Sequence, residues 1–172
     1  CVGALYTALH PYPVSTPQEP PKPVCAVDAG KLLTYVNEER VKLGAPQLRI
    51  DPTLAVASKY KLDNMLDERY FSHKMANGDE WYDHLRELGV QAAASEDLGV
   101  NDMTPQQSWL EFKDSPAHYA SLTNPVYTRV GIAVQCTDFV QDKAIEPGDE
   151  AYVGQSITDL TVVTLAAPEP RR

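Results

Sequence analysis

The sequence predicts an α+β fold, on three observations. Over the first two thirds of the chain, apolar residues recur at helical spacing behind cap and cap-then-proline signatures. Beyond Pro125 the pattern changes to a period of two, with turn residues between the runs, as in hairpin-connected strands. The 172 residues, 43% of them hydrophobic and without internal repeat, suffice for one ordinary core. Helices first and strands later give segregated α+β layers.

The first helix is expected over residues 28–43. Leu32, Leu33 and Val36 start its apolar stripe, Asp28 caps the first turn, and Gly44 supplies a left-handed stop. Asp51-Pro52 opens the second helix, with proline at the first helical position, where its missing amide costs nothing, and Leu54, Ala57, Leu62 and Met65 as the buried stripe. Residues 70–78 read as a loop holding His73. A third helix follows, capped by Asp79 and running through Trp81, Leu85 and Leu88 to Gly89, with His84 structural or solvated. Residues 90–100 read as extended, and Thr104-Pro105 and Ser115-Pro116 start two short helices. Trp109 is then a core residue.

In residues 129–137, Val130, Ile132, Val134 and Cys136 alternate with Arg129, Gly131, Ala133 and Gln135, which predicts a half-buried strand with the first set inward. Residues 138–150 are an acidic connection turning at Pro147-Gly148, expected to be a solvated hairpin tip; their spacing fits no calcium loop. Two further strands are expected at residues 151–158 and 160–165. The organisation is therefore an N-terminal apolar segment and proline-rich spacer at residues 1–27, a domain at 28–166, and a tail at 167–172.

Residues 1–9 are short and apolar. They suit the end of a membrane anchor, the start of a lipoprotein lipidated on Cys1, or an arbitrary boundary. Six prolines between Pro11 and Pro23 favour polyproline II, a semi-rigid spacer of roughly 40 Å at ~3.1 Å per residue. Fifteen basic against 24 acidic residues give a net charge of −9, which opposes nucleic acid and anionic lipid as partners. No run of 18 apolar residues is present, so no transmembrane segment is expected, and membrane tethering would have to act through the N-terminus.

Chemistry concentrates in three segments: Tyr70-Phe71-Ser72-His73, Ser95-Glu96-Asp97-Leu98, and Phe112-Lys113-Asp114-Ser115-Pro116-Ala117-His118. Two imidazoles and a carboxylate are the groups that bind a metal or move a proton. Separations of 23 (His73 to Glu96) and 22 (Glu96 to His118) exceed one helix face, so only the fold can join them. His118 lies in the first turn of its helix, where the positive dipole end favours the neutral, metal-binding imidazole.

These segments carry a resemblance. Val36-Asn37-Glu38-Glu39-Arg40, Asp51-Pro52-Thr53-Leu54, Asn64-Met65, Phe71-Ser72-His73, Ser95-Glu96-Asp97-Leu98, Ser115-Pro116-Ala117-His118, Val130-Gly131-Ile132-Ala133 and Tyr152-Val153-Gly154-Gln155 follow the order of a family pattern over residues 31–157. The chain resembles a bacterial member of the CAP superfamily, shared by cysteine-rich secretory proteins, antigen-five allergens and plant pathogenesis-related proteins. The resemblance implies a three-layer α-β-α sandwich around a central antiparallel sheet. It also implies one cleft lined by His73, Glu96 and His118, with Ser72, Ser115 and Asp97 nearby. Asp97 stands where the family has asparagine, adding a negative charge beside the site. Phe112 takes the family's tryptophan position, and Glu111 does not align with the second glutamate of the animal and plant members.

Three functions are open at this point, all extracellular or in the cell envelope. The first is a binding module for a small apolar, glycan or protein ligand. The second is a hydrolase in which Glu96 is the general base on water held by zinc, or another divalent metal, on His73 and His118. The third is a structural or adhesion component. Three cysteines in such a setting predict a disulfide. Cys25 lies just outside the first helix and Cys136 within a strand, which favours their pairing, with Cys1 to Cys25 as the alternative and a reduced Cys136 core thiol as the third outcome.

Overall fold

The computed structural model describes residues 24–170; the expected N-terminal anchor, the proline-rich spacer, Cys1 and the last two residues of the tail lie outside them. The elements in chain order are α1 (Ala29–Lys42), β1 (Arg49–Ile50), α2 (Pro52–Glu68), α3 (Trp81–Glu87), β2 (Ala94–Val100), α4 (Pro105–Asp114), α5 (Pro116–Thr123), β3 (Arg129–Val140) and β4 (Ser156–Ala166). The sheet order is β1-β3-β4-β2, with β2, β3 and β4 antiparallel and the two-residue β1 parallel to β3. The architecture is α+β, a sheet between two helical layers.

Local chemistry sets the helix starts. Asp28, Asp51 and Thr104 each accept backbone amides from the turn they cap, and proline holds the first position of α2, α4 and α5. Asp79 does not cap α3: its carboxylate accepts from Asn77 Nδ2 at 2.7 Å, and Glu80 occupies the cap without a side-chain bond.

The α2 layer buries Leu62, Met65, Tyr70 and Phe71 against Leu98, Ala133, Leu160 and Val162. On the other face α1, α4 and α5 bury Leu32, Val36, Phe112 and Leu122 against Val130, Val163 and Leu165. The first part of β3, through Ala133, is therefore covered on both faces, not half-buried as its alternation suggested, while Gln135, Cys136 and Asp138 beyond it are exposed. Gly131 is what permits this: a Cβ there would lie 2.1 Å from the Leu54 carbonyl in the first turn of α2. Cys136, expected inward, is exposed.

The two strands expected at 151–158 and 160–165 are one strand, β4, preceded by a 3-10 turn at Asp149–Ala151. Asp159, which read as a break, is fully buried within it and accepts the amides of Asp102 at 3.1 Å and Met103 at 3.0 Å, anchoring the loop after β2. Cys25 and Cys136 form a disulfide across a separation of 111 residues. Chain entropy alone gives such a closure ~4–5 kcal/mol as an upper figure. Among the described residues no helix is long and apolar enough to cross a membrane.

Candidate functional site

A cleft of about 430 Å³ opens over the free edge of β2, where Leu98, Gly99 and Val100 form its floor. One wall is the loop after α2, with Phe71, Ser72 and His73; the other is Phe112 of α4 with Ser115 and His118 at the start of α5. The connection between β3 and β4 closes the mouth with Glu146, Pro147, Gly148 and Asp149. Its turn at Pro147-Gly148 is exposed, as expected of a solvated tip, but the segment around it is held down. Asp149 is buried and accepts the amides of Ile145 and Glu146 at 3.0 and 2.9 Å, folding the segment over the cleft.

His73, His118, Ser72 and Ser115 thus line one cavity, while Glu96 and Asp97 do not reach its surface. Glu96 stands behind His73: Oε1 lies 3.0 Å from His73 Nδ1, and its side chain is 2% exposed against 47% for the imidazole. The hydrogen bond to Glu96 raises the His73 pKa above its ordinary 6.5, against the opposing effect of burial. Burial pushes the Glu96 carboxyl up, and His73 and Lys61 pull it back. Asp97 points to the opposite face of β2, where Ser121 Oγ donates to it at 2.8 Å and Ser95 Oγ lies 2.8 Å from Ser121 Oγ. Burial pushes its pKa to about 7, so near neutrality it is partly protonated and adds less than a full charge. His118 is shifted down, by burial first and by the charge on His73 second; its ring packs edge-on to Phe112 with centroids 5.2 Å apart.

Ser72 Oγ donates to Glu146 Oε1 at 3.0 Å and accepts the Lys74 amide at 3.2 Å, so it ties the His73 loop to the closing connection. Ser115 makes no side-chain cap for α5. Gly99 keeps the floor low, since a Cβ there would meet Asp102 Oδ2 at 2.9 Å and Phe112 Cζ at 3.2 Å.

Several residues that shape the site were not singled out in the sequence. Lys61 is 3% exposed in α2, and its Nζ donates to the carbonyls of His73 at 2.9 Å and Lys74 at 2.5 Å, clamping the loop that carries the imidazole. Burial pushes its pKa down to about 8, against the pull of Glu96, Glu146 and Asp149. The signal was legible: Lys61 falls one turn after Ala57 on the apolar stripe. Arg40 is fully buried in α1 and donates to the carbonyls of Pro46, Leu122, Asn124 and Tyr127 at 2.6–3.0 Å, which fixes the end of α5. Glu111, Glu146, Asp149 and Asp102 also line the cleft, giving it an acidic rim.

Among the described residues no group of three or more His, Cys, Asp or Glu side chains is arranged to hold a metal ion.

In searches against known proteins, 103 residues are 28% identical to the uncharacterized protein YkwD of Bacillus subtilis strain 168, covering 59% of this chain and 40% of that protein. The chain thus matches less than half the length of that relative. Among solved structures, an extracellular SCP-domain protein from Bacillus anthracis superposes with a TM-score of 0.62 at 17% identity, over 81% of this chain and 40% of the other. An outer surface protein from Borrelia burgdorferi superposes with a TM-score of 0.61 at 19% identity, over 80% of this chain and 90% of the other. These likenesses carry the fold. The sequence model of the cysteine-rich secretory protein family matches residues 33–148, more than half of the chain, and with the sandwich and its helical layers already in place the chain belongs to that CAP family.

Proposed function

We propose that this chain is an extracytoplasmic binding module that holds a ligand or partner in the cleft between His73 and His118. One observation carries the reading: the Glu96 carboxylate is withdrawn behind His73 and bonded to it, so it orients an imidazole and does not face a water in the cleft. A general base needs hydrogen-bond reach to the proton it takes. The cavity of about 430 Å³ is of ligand size, with polar groups converging on a partly apolar floor. An extracytoplasmic setting is supported by the disulfide and by two structural relatives, one an extracellular protein and one an outer surface protein. Candidate ligands are small apolar molecules, glycans and protein segments.

The test is a screen of all three ligand classes against isotope-labelled full chain, read at the His73 and His118 ring signals. At least one class should shift both rings, and His73→Ala combined with His118→Ala should abolish that binding. Binding undiminished in the double variant would refute the cleft reading and favour a structural or adhesion role.

A second reading, a divalent metal such as zinc on the two histidines, rests on the Nδ1 bond to Glu96, which fixes one nitrogen of His73 and leaves Nε2 for a ligand. Zinc bound through neutral imidazoles weakens steeply as pH falls from 7.5 to 5. Metal content of untagged protein at the two pH values, with the double alanine variant as control, decides it. Equal retention at both, or in the variant, removes the histidines as ligands.

A further inference from the structure

We infer that the cleft accepts an extended peptide with a basic side chain, which adds to the sheet as a strand along the free edge of β2. The inference rests on the binding reading above and names the partner's chemistry.

Register gives the first argument. The Ala167 amide donates to the Ala93 carbonyl at 2.8 Å and the Asn101 amide to Asp159 at 3.3 Å, with Ala94 to Val100 paired one-to-one between them against Ala166 to Leu160. In an antiparallel ladder hydrogen-bonded pairs alternate, so Ser95, Asp97 and Gly99 turn their backbone groups to β4. Glu96, Leu98 and Val100 must then turn theirs outward, and among the described residues these N–H and C=O groups have no partner in the chain. Leu98 and Val100 line the cleft, Leu98 at 5% exposure, which puts their outward backbone groups at its floor. The two positions in the cleft, Leu98 and Val100, span ~7 Å, the length of a three-residue strand segment, and Glu96 lies just beyond it. Unpaired edge groups inside a walled cleft are a template for strand addition, in which backbone bonds supply affinity and side pockets supply specificity.

Charge gives the second. The rim holds Asp102 and Glu111 on the α4 side and Glu146 and Asp149 on the other. Asp102 is 5% exposed, yet its Oδ2 has no hydrogen-bond partner. A buried carboxylate oxygen left unpaired at the cleft is costly, and a cationic donor arriving with the ligand would satisfy it. Side chains of an added strand alternate between the two walls, so a lysine or arginine on either face meets an acid pair.

The experiment uses the full chain and capped pentapeptide pools. One pool fixes Lys or Arg at the centre, a second fixes Glu, a third repeats the first with alternate amides N-methylated, and chitotetraose stands for glycans. The basic pool should slow amide exchange at Leu98 and Val100 at least tenfold; the Glu and N-methylated pools should not. Asp102→Asn should shrink the preference for the basic over the Glu pool severalfold while both amides still respond. Full protection of Leu98 and Val100 before any peptide is added would overturn the inference. So would equal protection by the basic and N-methylated pools, or no protection by any pool. If chitotetraose or a small molecule shifts His73 and His118 while the pools do nothing, the peptide inference fails and the binding reading stands.

Discussion

The two walls of the cleft present the same side chain from opposite kinds of support. On the His73 wall the imidazole is held by buried polar groups, Glu96 against its ring and Lys61 against its carbonyl. On the other wall His118 sits on a short helix, edge-on to Phe112, and the polar work is done at a distance by Arg40 at the far end of α5. The consequence is opposite titration, His73 raised by its carboxylate and His118 lowered by burial. With Nδ1 of His73 held by Glu96, that ring turns Nε2 to a ligand and takes a proton more readily than His118 on the facing wall. Two like imidazoles would offer neither contrast nor orientation.

The largest expected effect comes from removing the remote support. Arg40→Ala leaves four carbonyls without their donor and a cavity at the α1–α5 junction, and should cost about 3–4 kcal/mol in denaturant unfolding. The His118 signal should broaden while the His73 to Glu96 bond persists. If His118 is unaffected, Arg40 does not position that wall.

Lys61→Met should cost less, about 1–3 kcal/mol, because its long apolar stem is replaced while two carbonyls lose a donor. Lys61 also repels a charged His73, so the variant should raise the His73 pKa further. A lowered His73 pKa in this variant would contradict the proposed electrostatics of the wall.

Asp97→Asn should raise stability. The folded state holds the Asp97 proton up to about 7, well above the ordinary 3.8, so the natural chain is favoured at low pH and loses stability as pH rises between those values. The asparagine variant should escape that loss and be more stable at pH 8 by about 1–3 kcal/mol, with the gap closing toward pH 4. Chemical denaturation at the two pH values measures it.

What the sequence disclosed and what it hid divide along the same line. Helix starts were readable because Asp28, Asp51 and Thr104 act on amides two or three residues away, and local chemistry of that range is written in local order. The pairing of Cys25 with Cys136 was readable from their placement just before α1 and within β3. Lys61 was legible only as a charge on the apolar stripe of α2, and the roles of Arg40 and Asp159 were not legible, because their partners lie far along the chain. The acidic connection before β4 was legible only in part: Asp138, Asp142 and Glu150 are exposed as expected, but Asp149 is satisfied by local amides and Glu146 by Ser72. At the site, the family resemblance supplied His73, Glu96 and His118, but which of them face the cleft depends on strand direction. Glu96 and Asp97 leave opposite faces of one edge strand, and neither reaches the cavity surface.

The contrast between the walls is tested most directly by following the ring signals of His73 and His118 across a pH titration, in the natural chain and in Glu96→Gln. His73 should titrate above ~6.5 and His118 below it, and in Glu96→Gln His73 should fall while His118 moves less and upward, as the charge facing it is weakened. A common pKa for the two rings, His118 titrating above His73, or an unmoved His73 in the variant would contradict the account.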